Sequence, residues 1–259
     1  MFRPASVPGP KVICVGCDYP DNGTVGPHCH PRAQLIYATA GVMEIRAAGS
    51  LWLVPPQRAL WVGAGIVHAM RARGAVSLRT LYIAAPAVPA SLPNEPASLA
   101  VTPLLRELIL RAIQPVPEAD EDGRQDRLFA VLLDEVGLLP RCRLCLAMPA
   151  DPRLRRVCET VLADPGRRRD MAALAEIGGA SPRTLARLAE RDLGVPFSIW
   201  RQQARVLAAL PILVGGGSVA EAAFTLGYDS PSAFASMFRR MTGTAPAAYR
   251  TAGAEPEAA

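Results

Sequence analysis

Residues Ser218–Gly243 read SVAEAAFTLGYDSPSAFASMFRRMTG. A short alanine-rich segment runs to Gly227, and Ser230 and Pro231 then open a second segment in which Phe234 and Phe238 recur one turn apart. Serine before a helix accepts a hydrogen bond from the free N–H groups of the first turn, and proline suits the first position because it lacks an N–H. Glycine takes the positive φ that a tight turn between helices requires. The stretch therefore predicts a helix-turn-helix, with its second helix capped and aimed by the turn.

The same grammar occurs upstream. DMAALAEIGGASPRTLARLAERDLG, Asp170–Gly194, has a short helix ending at Gly178, a turn, and a second helix capped by Ser181 with Pro182 first. The two serine caps lie 49 residues apart, and an internal repeat of this kind implies two like units. In the first unit Leu185, Leu188 and Leu193 face inward, leaving Arg183, Thr184, Ala186 and Arg187 outside. In the second, Phe234 and Phe238 face inward, and Ser232, Ala233 and Ser236 face out. Arginine on such a face pairs bidentately with the O6 and N7 of guanine. The expected DNA contacts are thus Ser181, Arg183, Thr184 and Arg187 in one unit, and Ser230, Ser232 and Ser236 in the other, with Arg239 and Arg240 suited to phosphates. The segment Phe197–Leu213 between them, 17 residues and about 25 Å as a helix, would set the two second helices in successive major grooves. Pro211 is expected to break or kink that helix near its end.

Residues 151–250 resemble the DNA-binding domain of the AraC/XylS family of bacterial transcription regulators. The resemblance rests on Gly227-Tyr228 before the serine cap, the two phenylalanines, and the G-x-x-P-x-x-Y-R ending at Arg250. Ala189 stands where the family usually has a core phenylalanine, and Pro211 interrupts the connecting helix.

Working back from this domain, residues 1 to about 85 read as β-rich. QLIYATAG, VMEIRAAG, SLWLVPP, ALWVGAG and VSLRTLYIA are strand-length and bounded by glycine or proline, the rhythm of a barrel or sandwich. GPHCHPRAQLIY, beginning at Gly26, sets His28, His30 and Gln34 on one face by the period of two, with Cys29 opposite. Trp52, Trp61 and Tyr37 read as core and rim. This half resembles a cupin, a small β-barrel that many members of the same regulator family use as sensor. Gly23, His28, His30, Gln34 and Gly41 meet one part of the cupin pattern, and Gly63, Gly65 and His68 the other. The resemblance implies that His28, His30, His68 and Gln34 converge in the barrel. Cupin enzymes usually have glutamate at the position of Gln34, whose amide lends a metal no charge. Three readings stay open: one divalent metal ion, a small organic effector, or a vestigial pocket.

Between the halves, the proline-rich APAVPASLPNEP leads to two amphipathic helices. Leu104, Leu105, Leu108 and Ile109 share a face in the first, and Leu128, Val131 and Leu132 in the second, around an acidic loop PEADEDG. The latter face is offered as a homodimer seam. The expected domains are a sensor over 1–90, linking helices over 91–148 and a DNA-binding domain over 149–251.

Composition narrows the classes. The 259 residues, 50% hydrophobic, suffice for two cores. No apolar run reaches the roughly 18 residues that span a bilayer, and the N-terminus lacks a signal core, so a cytoplasmic protein without a membrane partner is expected. The net charge of +5 is too mild to announce nucleic-acid binding, and Lys11 is the sole lysine, a compositional bias toward arginine. Six cysteines include the C-x-x-C pairs Cys14/Cys17 and Cys142/Cys145, read as reduced thiols rather than a zinc site because 124 residues separate the pairs. The fold class is α+β: a cupin-like barrel, two linking helices and an all-α domain with two helix-turn-helix units. The function read from these residues is a ligand-responsive transcription regulator binding double-stranded DNA; the alternative is a cupin-type metal-dependent oxygenase carrying a DNA-binding tail.

Overall fold

Short apolar segments bounded by glycine or proline recur through the first third of the chain, and there the backbone is extended. The computed structural model describes residues 10–114, 123–139, 141–142 and 145–251; of the acidic loop, all but Gly123 lies outside them. The chain divides into two compact units, Met1–Ala48 with Trp52–Leu144, and Gly49–Leu51 with Cys145–Ala259.

The first unit is built on a mixed-length antiparallel sheet. Its strands are β1 (Val12–Tyr19), β2 (Thr24–His28), β3 (Ala33–Ala47), β4 (Ser50–Val54), β5 (Arg58–Val62), β6 (His68–Ile83), β7 (Ala97–Ala100) and β8 (Arg141–Cys142). The order is β1-β6-β3-β5-β7-β8, with β2 added to β6 and β4 to β3. QLIYATAG and VMEIRAAG, expected as separate strands, form the single strand β3, and VSLRTLYIA is only the second half of β6.

One face of the sheet is covered by helices α1 (Pro103–Ala112) and α2 (Arg124–Leu138). Leu35, Tyr37, Trp61, Leu81 and Ile83 pack there with Leu105 and Ile109 of α1 and Phe129, Leu132 and Val136 of α2. Each such side chain, fully buried, contributes about 1.5–3 kcal/mol, so this layer is a major part of the core. The phase of α2 corrects the expected seam: residues 129, 132 and 136 form its inner stripe, so Leu132 is fully buried. Val131 stays outside at 48% exposure, with Leu104 at 52% and Leu138 at 78%.

The other face carries the polar cluster, and a bulge in β3 keeps it there. Gln34, Ile36 and Ala38 pair with Tyr82, Thr80 and Leu78, but Ala40 pairs with Ser77, so Thr39 is an extra residue. Beyond it Met43, Ile45 and Ala47 pair with Ala72, Met70 and His68. One added residue exchanges the faces of a strand. Glu44, Arg46, Arg71 and Arg73 therefore lie on the opposite side from His68.

The second unit, from β9 (Cys145–Ala147), is helical: α3 (Pro152–Ala163), α4 (Met171–Gly178), α5 (Pro182–Leu193), α6 (Phe197–Val214), α7 (Val219–Thr225), α8 (Pro231–Thr242) and α9 (Ala247–Thr251). The side chains of Ser181 and Ser230 accept from the amides of Thr184 and Ala233, as their caps require. In the first helix-turn-helix the positive φ belongs to Gly179, while Gly178 is the last helical residue. Ser218 and Glu221 form a reciprocal capping box on α7. Helix α6 continues through Pro211 to Val214 instead of breaking; only three helical residues follow the proline, so little helix depends on the hydrogen bond it lacks. Ala189 is fully buried in place of an aromatic ring. Trp200 stacks on Phe197, with ring centroids 5.5 Å apart, and its indole N–H donates to the Ala147 carbonyl at 2.7 Å.

Gly41 tests the bulge. Its φ is +70° and a Cβ there would lie 2.1 Å from the Ala75 carbonyl oxygen. Gly41→Ala combines left-handed strain with a backbone clash and should cost about 3 kcal/mol, read as a lowered urea midpoint at unchanged m-value.

Candidate functional site

His28 closes β2, His30 follows it, and His68 opens β6 directly opposite His28 in the register. The three rings gather tightly: the His28 and His68 centroids are 4.3 Å apart, those of His30 and His68 5.3 Å, and those of His28 and His30 6.1 Å. One ligand nitrogen from each lies within 4.8 Å of the others. His30 and His68 are buried and His28 is half-buried.

Each ring is oriented by a backbone carbonyl. The Nδ1 of His28 faces the Gly26 oxygen at 2.9 Å, that of His30 the Arg32 oxygen at 2.6 Å, and that of His68 the Ile66 oxygen at 2.9 Å. A carbonyl only accepts, so every Nδ1 carries the proton and donates. In a neutral ring the Nε2 lone pair is then free. That of His68 is buried without a hydrogen-bond partner, and burial pushes its imidazolium pKa down to about 4. At neutral pH His68 is therefore an uncharged, unsatisfied donor of electrons, the state a metal ligand requires.

Gln34 stands beside them, fully buried. The Thr80 hydroxyl donates to the Leu35 carbonyl at 3.1 Å and so accepts from the Gln34 amide nitrogen at 2.8 Å. This chain turns the Gln34 oxygen toward His30 Nε2, 2.9 Å away. With His30 Nδ1 already donating, a neutral ring would meet that oxygen lone pair to lone pair. Either a proton on Nε2 or a cation bound by both atoms resolves the conflict. Thr80 and the Tyr82 ring, edge-on to His30 at 5.0 Å, belong to the site and were not expected from sequence; both lie at alternate positions on β6, but only pairing reveals that they face Gln34.

Among the described residues, this triad is the group of three or more histidine, cysteine or acidic side chains placed to hold a metal. Cys14 is half-buried, its thiol pushed up to about 12 by burial, Cys17 and Cys29 are exposed, and Cys158 is buried. The side chain of Cys142 lies outside the described residues. Trp52, Trp61 and Tyr37 are buried.

In the helical unit, Arg183 and Arg187 on α5 and Ser232, Ser236, Arg239 and Arg240 on α8 are exposed, while Leu185, Leu188, Phe234 and Phe238 are buried. Thr184 is half-buried and its hydroxyl lies 2.9 Å from that of Ser181. The Ser230 and Ser232 hydroxyls are 3.2 Å apart, and Arg240 donates to the Gln202 amide oxygen at 3.0 Å. Each second helix thus presents a polar outer face above an apolar inner one. Among the described residues, no helix is long and apolar enough to cross a membrane.

Two domain models match the chain, an AraC-like ligand binding domain over residues 9–134 and a helix-turn-helix domain over residues 174–252. The HTH-type transcriptional regulator NimR of Escherichia coli is 35% identical over 86% of this chain and 81% of its own length. The arabinose operon regulatory protein of E. coli is 31% identical over 52% of this chain and 47% of its own. The crystal structure of ToxT from Vibrio cholerae aligns over 94% of this chain and 99% of its own at 10% identity, with a TM-score of 0.39. NimR and the arabinose operon protein are both named as regulators, not as oxygenases. With a ligand-binding domain and a DNA-binding helix-turn-helix domain in one polypeptide, the chain belongs to the AraC family of transcriptional regulators.

Proposed function

We propose that the effector site of this regulator is the cluster of His28, His30 and His68, and that its effector is a divalent ion of the late first-row type. The observation that carries the proposal is the anchoring of all three Nδ1 atoms on backbone carbonyls, which leaves Nε2 as the ligand atom of each ring in a cluster whose ligand nitrogens lie within 4.8 Å of one another. Such outer contacts are how metal-binding imidazoles are usually fixed in tautomer and direction. Imidazole suits zinc, copper and nickel better than manganese or magnesium. Bond lengths of about 2.1 Å would bring tetrahedral nitrogens to about 3.4 Å from one another, so loading would contract the cluster. Gln34 would add its carbonyl oxygen as a neutral fourth donor. An anionic organic effector is the second reading, favoured only if the conflict at His30 is resolved by a proton.

The reading of DNA belongs to α5 and α8. Arg183, Thr184 and Arg187, with Ser181 at the cap, face base edges in one major-groove segment; Ser230, Ser232 and Ser236 face the next, with Arg239 and Arg240 on phosphates. Their exposure above buried leucines and phenylalanines supports this assignment. A partner of duplex DNA puts the protein in the compartment of the chromosome, the cytoplasm. The protein acts as a homodimer in this proposal, supported by Leu104, Val131 and Leu138, large apolar side chains left exposed on α1 and α2.

Three measurements follow. Calorimetric titration should give 1:1 binding tighter for zinc or nickel than for manganese, and His30→Ala should abolish it. Gln34→Glu should tighten metal binding about tenfold or more by adding a charge; for an anionic effector the same change weakens binding, and that result would replace the metal reading. Arg187→Ala should cost about 1–3 kcal/mol on a selected operator and relax preference at one base position; equal loss on all sequences would make Arg187 a phosphate contact. Sedimentation should show a dimer that Val131→Asp with Leu138→Asp converts to monomer at micromolar concentration.

A further inference from the structure

The loop of residues 164–169 lies just before the first helix-turn-helix in sequence, yet it is seated on the turn of the second. A Cβ on Gly166 would lie 2.1 Å from the Thr225 oxygen, and one on Gly227 would lie 2.2 Å from the Gly166 oxygen. Main chain meets main chain there, with no room for a side chain. Arg168 then spans the joint. Its Nη2 donates to the Gly227 carbonyl at 3.1 Å and reaches both Asp229 oxygens, at 2.7 and 2.6 Å. Asp229 immediately precedes Ser230, the cap of α8.

Helix α6 holds the same loop through two arginines. Arg205 Nε donates to the Pro165 carbonyl at 3.2 Å, and its guanidinium lies 5.5 Å from the Tyr228 ring centroid, again in the second turn. Arg201 Nη1 donates to the Arg169 carbonyl at 2.9 Å. Loop 164–169 is therefore joined to α4 by the chain, to α6 by two arginines, and to the α7–α8 turn by backbone contact and Arg168.

The covalent path between the two units runs from α6 to α7 through Gly215, Gly216 and Gly217, whose amides close α6 by donating to the Pro211, Leu213 and Ile212 carbonyls. This turn has no side chains of its own to pack between the units, so the contacts of loop 164–169 add a second connection beside it. We propose that loop 164–169 is a clamp that fixes the distance and angle between α5 and α8, so that the spacing of the two DNA segments becomes a determinant of operator choice. This rests on the reading above that α5 and α8 are the two DNA-facing helices. The exposed ion pair of Arg168 and Asp229 is weak by itself; it acts together with Arg205, Tyr228 and the glycine contact. Arg168, Arg205 and Asp229 are positioning residues. One base pair inserted between the two segments displaces the second by about 3.4 Å and rotates it by about 34°. A clamped pair of helices loses one set of base contacts; a swivelling pair follows the groove.

The test uses full-length protein and an operator selected by the wild type from random DNA, then lengthened or shortened by one base pair between its protected segments. Wild type should bind the altered operators about 10- to 100-fold more weakly, the worth of one or two base contacts. Arg168→Ala with Arg205→Ala should bind the original operator within about threefold of wild type and discriminate against the altered ones by less than about threefold. Asp229→Asn, which removes one partner without a cavity, should relax discrimination in the same direction and is the readout should the double variant lose its helical circular dichroism. Unchanged spacing discrimination in a folded variant overturns the clamp. Equal weakening on every operator with a shallower salt dependence also overturns it, because the arginines would then be phosphate contacts. A wild-type footprint confined to one groove segment overturns the two-helix reading itself, and the clamp with it.

Discussion

The extra residue at Thr39 is the constraint on which the first unit depends. Strands β3 and β6 are 15 and 16 residues long and pair along nearly their whole length. Over that span a strict period of two would carry Glu44 and Arg46 onto the face of Gln34 and turn Met43 and Ile45 away from it. The bulge prevents this. Glu44 instead pairs with Arg46 and Arg73 on the opposite side, where its charge is compensated although the residue is 5% exposed. The inner face stays apolar apart from the polar groups at one end, and Gly41 lets the backbone of β3 approach Ala75 just past the bulge.

Within that frame the site is a problem in hydrogen-bond accounting. Buried imidazole and amide groups need partners, and here most are met in one direction only. Carbonyls of Gly26, Arg32 and Ile66 take the three Nδ1 protons, and Thr80 fixes the Gln34 amide. What remains unmet is concentrated at one place: the Nε2 of His68, and the meeting of His30 Nε2 with the Gln34 oxygen. Burial strengthens every interaction made there and makes leaving it unmade costly. That is the physical reason to look for a cation at this point rather than elsewhere in the sheet.

The helical unit solves a different problem, holding two polar faces in fixed relation. Leu185 and Leu188 under α5, and Phe234 and Phe238 under α8, anchor each second helix from below. Serine caps and glycine turns set where each begins. The relation between the units is supplied by α6 and by loop 164–169, whose contacts are mostly to main chain. The arginine side chains that make these contacts reach carbonyls and a carboxylate far away in sequence, so the run Arg167-Arg168-Arg169 carries no local signal of them.

Much of this was legible in the amino-acid sequence because the signals are local. Caps, turn glycines and the three- and four-residue spacing of apolar side chains act within a few residues, so both helix-turn-helix units and their inward and outward faces could be written down from Asp170–Gly243. The histidines at 28, 30 and 68 were also visible, through spacing and resemblance to a cupin. Other features depend on partners far apart along the chain. The inner stripe of α2 was misjudged because Leu132 is buried by a sheet face made from β3, β5 and β6. Thr80 and Tyr82 joined the site only through the register of β6 on β3. The protonated edge of each histidine was set by carbonyls whose direction depends on strand ends, and the clamp by a backbone approach that no side chain announces. Local chemistry determined which helices and strands form; the register, the bulge and the close contacts of main chain decided which groups meet.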